Sequence, residues 1–177
     1  MAPLRITRLA TLTVVAGCTL IGGTAPVLSQ AKEKTTIGRV EKVWIGEANV
    51  VLRAKIDTGA HTSSLGADHI EMFKRSDREW VRFSFFDEAG DSVTLERRLV
   101  EFKPLKERNE SGTETRPVVL LKLCIADIYR LTRVNLTNRK KLNYPILVGR
   151  RFLFGRAIVD VSRQYTSEPH CKEMGGR

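Results

Sequence analysis

Apolar residues recur at every second position over short stretches of this chain, and turn-forming residues separate the stretches. A period of two marks half-buried strands. The pattern predicts eight of them, over residues 37–45, 49–56, 80–86, 92–100, 117–125, 129–136, 144–148 and 157–161. Within 80–86, Val81, Phe83 and Phe85 fall on one face and Trp80, Arg82, Ser84 and Phe86 on the other. The turn Glu88-Ala89-Gly90-Asp91 then leads into 92–100, so this pair reads as a hairpin. Helical spacing is scarce: a turn or two after His61, around residues 66–73, and a short helix beginning near Arg150. Many short strands with brief connections predict an all-β barrel or sandwich.

The stretch 103–116 is charged and carries Pro104, Asn109, Ser111 and Gly112, which predicts a long loop inside one domain. Residues 32–36 are a polar lead-in, and the tail 166–177, with Pro169, Gly175 and Gly176, has no periodicity. Both ends are expected to be loose, leaving 32–165 as the domain.

The first 31 residues follow a different pattern. Arg5 and Arg8 precede an almost wholly apolar run over 9–21, and small residues follow up to Ser29-Gln30-Ala31. This is the composition of a secretory signal, too short to be expected to span a bilayer. Ser29 and Ala31 suit an ordinary signal-peptidase cut, while Val15-Ala16-Gly17-Cys18 resembles a lipobox that would leave a lipid anchor on Cys18. Hydrophobic residues continuing past Cys18 favour the ordinary cut. Either route predicts the periplasm or cell envelope.

Removing 1–31 takes away two arginines and no acid, so 30 Lys+Arg against 20 Asp+Glu becomes 28 against 20, a net +8. Such a chain favours acidic partners, whether peptides, lipid headgroups or wall polymers. Export and the lack of aromatic-interleaved basic motifs argue against nucleic acid. Cys124 lies in an apolar run and Cys171 in the polar tail, so a buried free thiol and a tail thiol are expected, although an exported compartment permits a disulfide.

The most informative segment is Ile56-Asp57-Thr58-Gly59-Ala60, where an extended run ends in an acid, a hydroxyl and a glycine. A carboxylate there can be fixed by the turn backbone while its oxygens face a cleft, and Gly59 lets the chain approach closely. Asp57-Thr58-Gly59-Ala60 matches the aspartic protease signature. The longer segment 54–65 resembles the bacterial retropepsin-like family often labelled "ATP-dependent zinc protease". Further on, Tyr144-Pro145-Ile146-Leu147-Val148-Gly149-Arg150 is similar to the apolar segment ending in glycine that packs behind the catalytic loop in retropepsins. Ile158-Val159-Asp160-Val161 resembles the family's closing strand.

The resemblance, over about residues 37–163, implies a retropepsin-like closed or partly open barrel with one short helix near its end. It implies an aspartic endopeptidase without cofactor or metal, acting on a peptide or protein substrate. Asp57 would be the catalytic acid and base, Thr58 and Gly59 would shape its loop, and Ala60 and His61 would contact substrate. His61 stands where a longer basic residue is expected. One aspartate cannot share a proton with itself, so the resemblance implies a homodimer in which two copies of Asp57 meet. The hairpin over residues 80–100 is the expected flap.

Two other readings stay open: a non-catalytic binding or accessory module on the same fold, and a zinc-dependent peptidase. The histidines are His61, His69 and His170, with no His-Glu-x-x-His motif, and a site from His61, His69 and Glu71 is weak on spacing. No Gly-x-x-x-x-Gly-Lys-Ser/Thr loop is present. Arg139-Lys140-Lys141 and Arg150-Arg151 read as solvated faces, with the alternative that they rim the cleft and favour acidic peptides. Ser63-Ser64 reads as a hydrogen-bonded turn or helix cap, and Phe152 and Phe154 as core.

Overall fold

The structure is a computed structural model and describes residues 33–106 and 113–175. The expected signal segment, with Cys18, lies outside these residues, as does the middle of the expected long loop. Eleven strands are formed among the described residues: β1 (Thr35–Ile45), β2 (Val50–Asp57), β3 (Ser63–Gly66), β4 (Asp68–Arg75), β5 (Arg78–Phe86), β6 (Ser92–Arg98), β7 (Glu101–Lys106), β8 (Thr113–Ile125), β9 (Ile128–Thr137), β10 (Ile146–Gly149) and β11 (Ala157–Gln164). One short helix, α1 (Arg150–Leu153), follows β10, and a 3₁₀ turn (Lys172–Gly175) comes near the end.

Six of the strands close on themselves in the order β1-β2-β10-β3-β9-β8, because Trp44 and Ile45 of β1 pair with Cys124 and Leu123 of β8. Closure removes the sheet edges of these six strands. β11 is added parallel to β1, and β7 antiparallel to β8. The predicted all-β barrel with a short helix at Arg150 is therefore what the chain forms.

Alternation decides which side chains fill the barrel. On β2, Leu52, Ala54 and Ile56 are buried while Arg53 and Lys55 are exposed, and Val119, Leu121 and Leu123 repeat the spacing on β8. Leu65, Val134, Leu136, Ile146 and Val148 complete the same core. Each such side chain contributes about 1.5–3 kcal/mol when fully buried. Strands β4, β5 and β6 form a second, antiparallel sheet. Val81, Phe83 and Phe85 of β5, with Leu95 of β6, bury their predicted face in the main core. The outer face carries an exposed ion cluster in which hydrogen bonds from Arg82 and Arg75 hold the Glu96 carboxyl below its ordinary value. At this exposure the cluster adds little stability.

Several expectations are corrected. Residues 63–75 are β3 and β4 rather than helix, because β3 is drawn into the barrel between β10 and β9. Lys103 and Pro104 belong to β7, where pairing with β8 overrides the loop-like composition. The hairpin over residues 80–100 is no free flap, since one face is in the core. The hairpin that stands out is β4–β5, exposed at nearly every position over 69–79 and turning at Ser76 and Asp77, both at positive φ. Phe152 is core as expected, but Phe154 is 81% exposed.

The tail is also held rather than loose. Tyr165 N–H donates to Val40 O, and His170 N–H to Ala126 O. The wholly buried Glu41 carboxylate accepts from Gly38 N–H, Thr166 N–H and the Thr166 hydroxyl. Cys171 forms a disulfide with Cys124, beside Trp44, in place of the two free thiols expected. Polar composition concealed this return, because its anchors are one cysteine, one hydroxyl, the Glu168 carboxylate paired with Lys42, and backbone groups.

The disulfide spans 47 residues. Loop-closure entropy assigns about 4 kcal/mol to a cross-link of that length. Cys171→Ser should lose up to that amount in urea unfolding, and reductant should destabilise the wild type equally. An unchanged midpoint in both experiments would show that the tail is not fastened through this bond.

Candidate active site

The loop over residues 58–62 joins β2 to β3, and β10 lies between the two strands that it joins. β10 runs parallel to β2, with Gly149 opposite Asp57, and antiparallel to β3, with Leu147 opposite Ser64. The loop must therefore arch over the end of β10. Gly149 has no room for a side chain: a Cβ would stand 2.8 Å from the Thr62 carbonyl carbon and 2.9 Å from Ala60 O. Only glycine permits this approach without moving backbone.

The loop's hydrogen bonds are nearly all made from behind. Gly149 N–H donates to Ser63 Oγ at 3.1 Å, Arg150 N–H to Ala60 O at 2.8 Å and Arg151 N–H to His61 O at 3.1 Å. The Arg150 guanidinium reaches forward to Thr58 O at 3.0 Å and Gly59 O at 3.2 Å. Asn135 Nδ2 holds Ser63 O at 2.9 Å. Four consecutive loop carbonyls, 58 to 61, are thus occupied by the start of α1.

On the front of the loop, Asp57 Oδ1 accepts from Gly59 N–H at 2.9 Å and Ala60 N–H at 3.2 Å. Two amides fix one oxygen, and Oδ2 has no partner among the described residues. Asp57 is partly exposed, as are its surroundings: Thr58, Gly59 and His61 are open to solvent and Ala60 half-buried. A Cβ on residue 59 would sit 3.1 Å from Asp57 Oδ1, so glycine also leaves the carboxylate its space. The arrangement can present a fixed carboxylate to water or to another carboxyl group.

Of the five sequence-predicted residues, Asp57 closes β2 and Thr58 to His61 lie on the loop that follows it. Ser63 and Ser64 are strand residues whose hydroxyls accept from Gly149 N–H and Arg139. Sequence reasoning missed the two arginines that matter here, because both sit in charge runs that read as solvated faces. Arg150 clamps the loop. Arg139 is half-buried, donating to Tyr144 O and Ser64 Oγ at 3.0 Å each. Burial, then the nearby Arg116, holds its guanidinium below its ordinary value, while Asp57 pulls the other way. No cluster of three His, Cys, Asp or Glu side chains suited to a metal ion occurs among the described residues.

Residues 36–170 match the model of the RimB-like family, described as retropepsin-like aspartic endopeptidase RimB. The chain belongs to this family. A solved structure of a Legionella pneumophila protein of unknown function superposes with a TM-score of 0.66 at 33% identity, covering 77% of this chain and all of the other. A probable alpha-L-glutamate ligase of Desulfotalea psychrophila is 30% identical over 85% of this chain and 33% of its own length. Another of the same name, from Parasynechococcus marenigrum, is 36% identical over 62% of this chain and 24% of its own length. The chain thus spans between a quarter and a third of these two relatives.

Gly149→Ala should force the loop away from β10. We expect a loss of about 1–3 kcal/mol of stability together with shifted amide resonances for Gly59 and Ala60. Arg150→Met, which removes two charge-assisted bonds, should cost about 1.5–3 kcal/mol and shift the same resonances. Native-like Gly59 and Ala60 signals in both variants would refute the clamp.

Proposed function

We propose that this protein is an exported aspartic endopeptidase that hydrolyses peptide or isopeptide bonds, with Asp57 acting as one of a pair supplied by two copies of the chain. The reading is carried by the partly exposed Asp57 carboxylate, pinned by two amides through one oxygen and without a partner at the other among the described residues. In the dimer the two carboxyls share one proton, because two charges about 3 Å apart do not both ionise. One member takes a proton from the attacking water, and the other donates to the carbonyl oxygen of the bond being cut.

Contact between copies is supported by exposed apolar groups after α1 and on the outer strand. Phe154 closes the helical turn begun by Arg150, and Ile158 and Val161 are 53% and 74% exposed on β11, the outer strand beside β1. The β4–β5 hairpin, with Arg75 stacked over Phe73 and Trp80 at its tip, is the element we assign to cover the bound substrate. Ala60 and His61 flank the carboxylate as substrate contacts. Export is supported by the Cys124–Cys171 disulfide, a bond that the bacterial cytosol disfavours. Similarity to proteins named glutamate ligases supports a substrate carrying glutamate, attached through an ordinary or a side-chain amide.

Asp57→Asn should reduce cleavage of a glutamate-rich peptide library by about 10³-fold, while a chelator leaves the wild type active. Loss of activity with chelator alone would favour a metallopeptidase, and an inert wild type would favour a binding module. Because the pair must hold one proton, activity should be greatest on the acidic side of neutral and fall as pH rises. A profile flat into the alkaline range would contradict the shared-proton mechanism.

A further inference from the structure

A cavity of about 670 Å³ is lined from the second sheet by Arg97 and Arg98 and from β8 by Leu120 and Lys122. Val100, between β6 and β7, adds apolar surface to its wall. Glu47 supplies a single carboxylate among the described lining residues, and it accepts from Lys122 N–H at 2.9 Å. Three cations against one acid leave the wall at +2. None of the three cations forms an ion pair among the described residues, whereas Arg75 and Arg82 of the second sheet are both paired with Glu96.

Leu120 and Lys122 are two residues apart on β8 and share its outward face. Leu131 of β9 lies directly opposite Lys122 in the ladder, so it falls on that face as well. Leu120 is 38% exposed and Leu131 57%, while Val119, Leu121 and Val134 on the inner face of the same strands are wholly buried. Two leucines therefore flank a lysine on open surface, at the margin of a cavity with an excess of positive charge.

This combination fits the surface of an anionic bilayer. Leucine side chains enter the headgroup layer there, while the alkyl stems of Arg98 and Lys122 carry their charges to the level of the phosphates. Burial of apolar area and attraction to anionic lipid then add within one contact. The composition of the chain agrees with such a partner, since residues 1–31 read as a secretory signal and the remainder carries a net +8. We infer that the outward face of β8 and β9 docks this protein on anionic lipid, with Leu120 and Leu131 inserted and Arg97, Arg98 and Lys122 on the phosphates. The inference rests on the export part of the functional reading alone. None of these residues belongs to the Asp57 loop, so docking and cleavage are read independently.

Full-length protein is sedimented with phosphatidylcholine vesicles, with and without phosphatidylglycerol, at low and at physiological salt. The leader is present in every sample, so any binding through it is common to all of them. Phosphatidylglycerol should strengthen binding more than thirtyfold at low salt, and Arg98→Gln/Lys122→Gln should remove about thirtyfold, the scale of two cations at an anionic surface. Equal binding to the two kinds of vesicle, or a preference that survives the double substitution, would overturn the inference. Insertion is read locally from a polarity-sensitive dye attached through Leu131→Cys in a Cys18→Ser background. Its emission should move to the blue on phosphatidylglycerol vesicles, and an unmoved spectrum in sedimented protein would mean that the leader alone holds the chain. A shift produced by an acidic peptide and not by vesicles would assign the face to a protein partner and overturn the lipid contact. Asp57→Asn should bind vesicles as the wild type does, so an inactive protein that docks would refute the peptidase reading and leave this inference standing.

Discussion

The backbone of the loop over residues 58–62 lies against the end of β10 at a distance that excludes a side chain, and the geometry of Asp57 depends on that contact. β10 sits between the two strands that the loop joins, so the loop cannot lift without unpairing barrel strands. Gly149 permits the approach, the amides of residues 149–151 bind what it brings near, and Arg150 secures the two carbonyls that remain. The carboxylate is oriented from the rigid side of the molecule and free on the other. A catalytic group needs that division, since positional errors of an ångström cost orders of magnitude in rate.

Asp57 and the disulfide that holds the tail lie at opposite ends of β2. Asp57 stands at one end of β2, while Trp44, Cys124 and Cys171 gather near the turn where β1 passes into β2, at the other. The tail is fastened there by the disulfide and at Thr166 by the buried carboxylate of Glu41.

Much of the barrel was legible because its strands obey a two-residue period with one buried face. Leu52, Ala54 and Ile56 announce β2, and the same alternation carries through to Asp57. The loop was legible as a motif, Asp-Thr-Gly followed far downstream by an apolar run ending in glycine. β4 was hidden because it buries almost nothing: Ile70 and Met72 are exposed, so its pattern carries no core signal and Ile70 and Phe73 mimic a helical spacing. β7 was hidden by Lys103 and Pro104, which a strand at the margin of a sheet tolerates. Arg139 and Arg150 were hidden for another reason. A run of cations looks the same in sequence whether it faces water or backbone carbonyls, and only the fold distinguishes the two.

The central claim is that one carboxylate is idle until a second copy brings its own, and subunit mixing tests this most directly. Wild-type protein at fixed concentration is combined with an equal amount of Asp57→Asn under conditions of free subunit exchange, and peptide hydrolysis is followed. Random pairing places half of the wild-type chains in mixed dimers, so the rate should fall to about half and continue downward as more variant is added. A rate that stays constant at every ratio would mean that each chain works alone, and the account would be wrong.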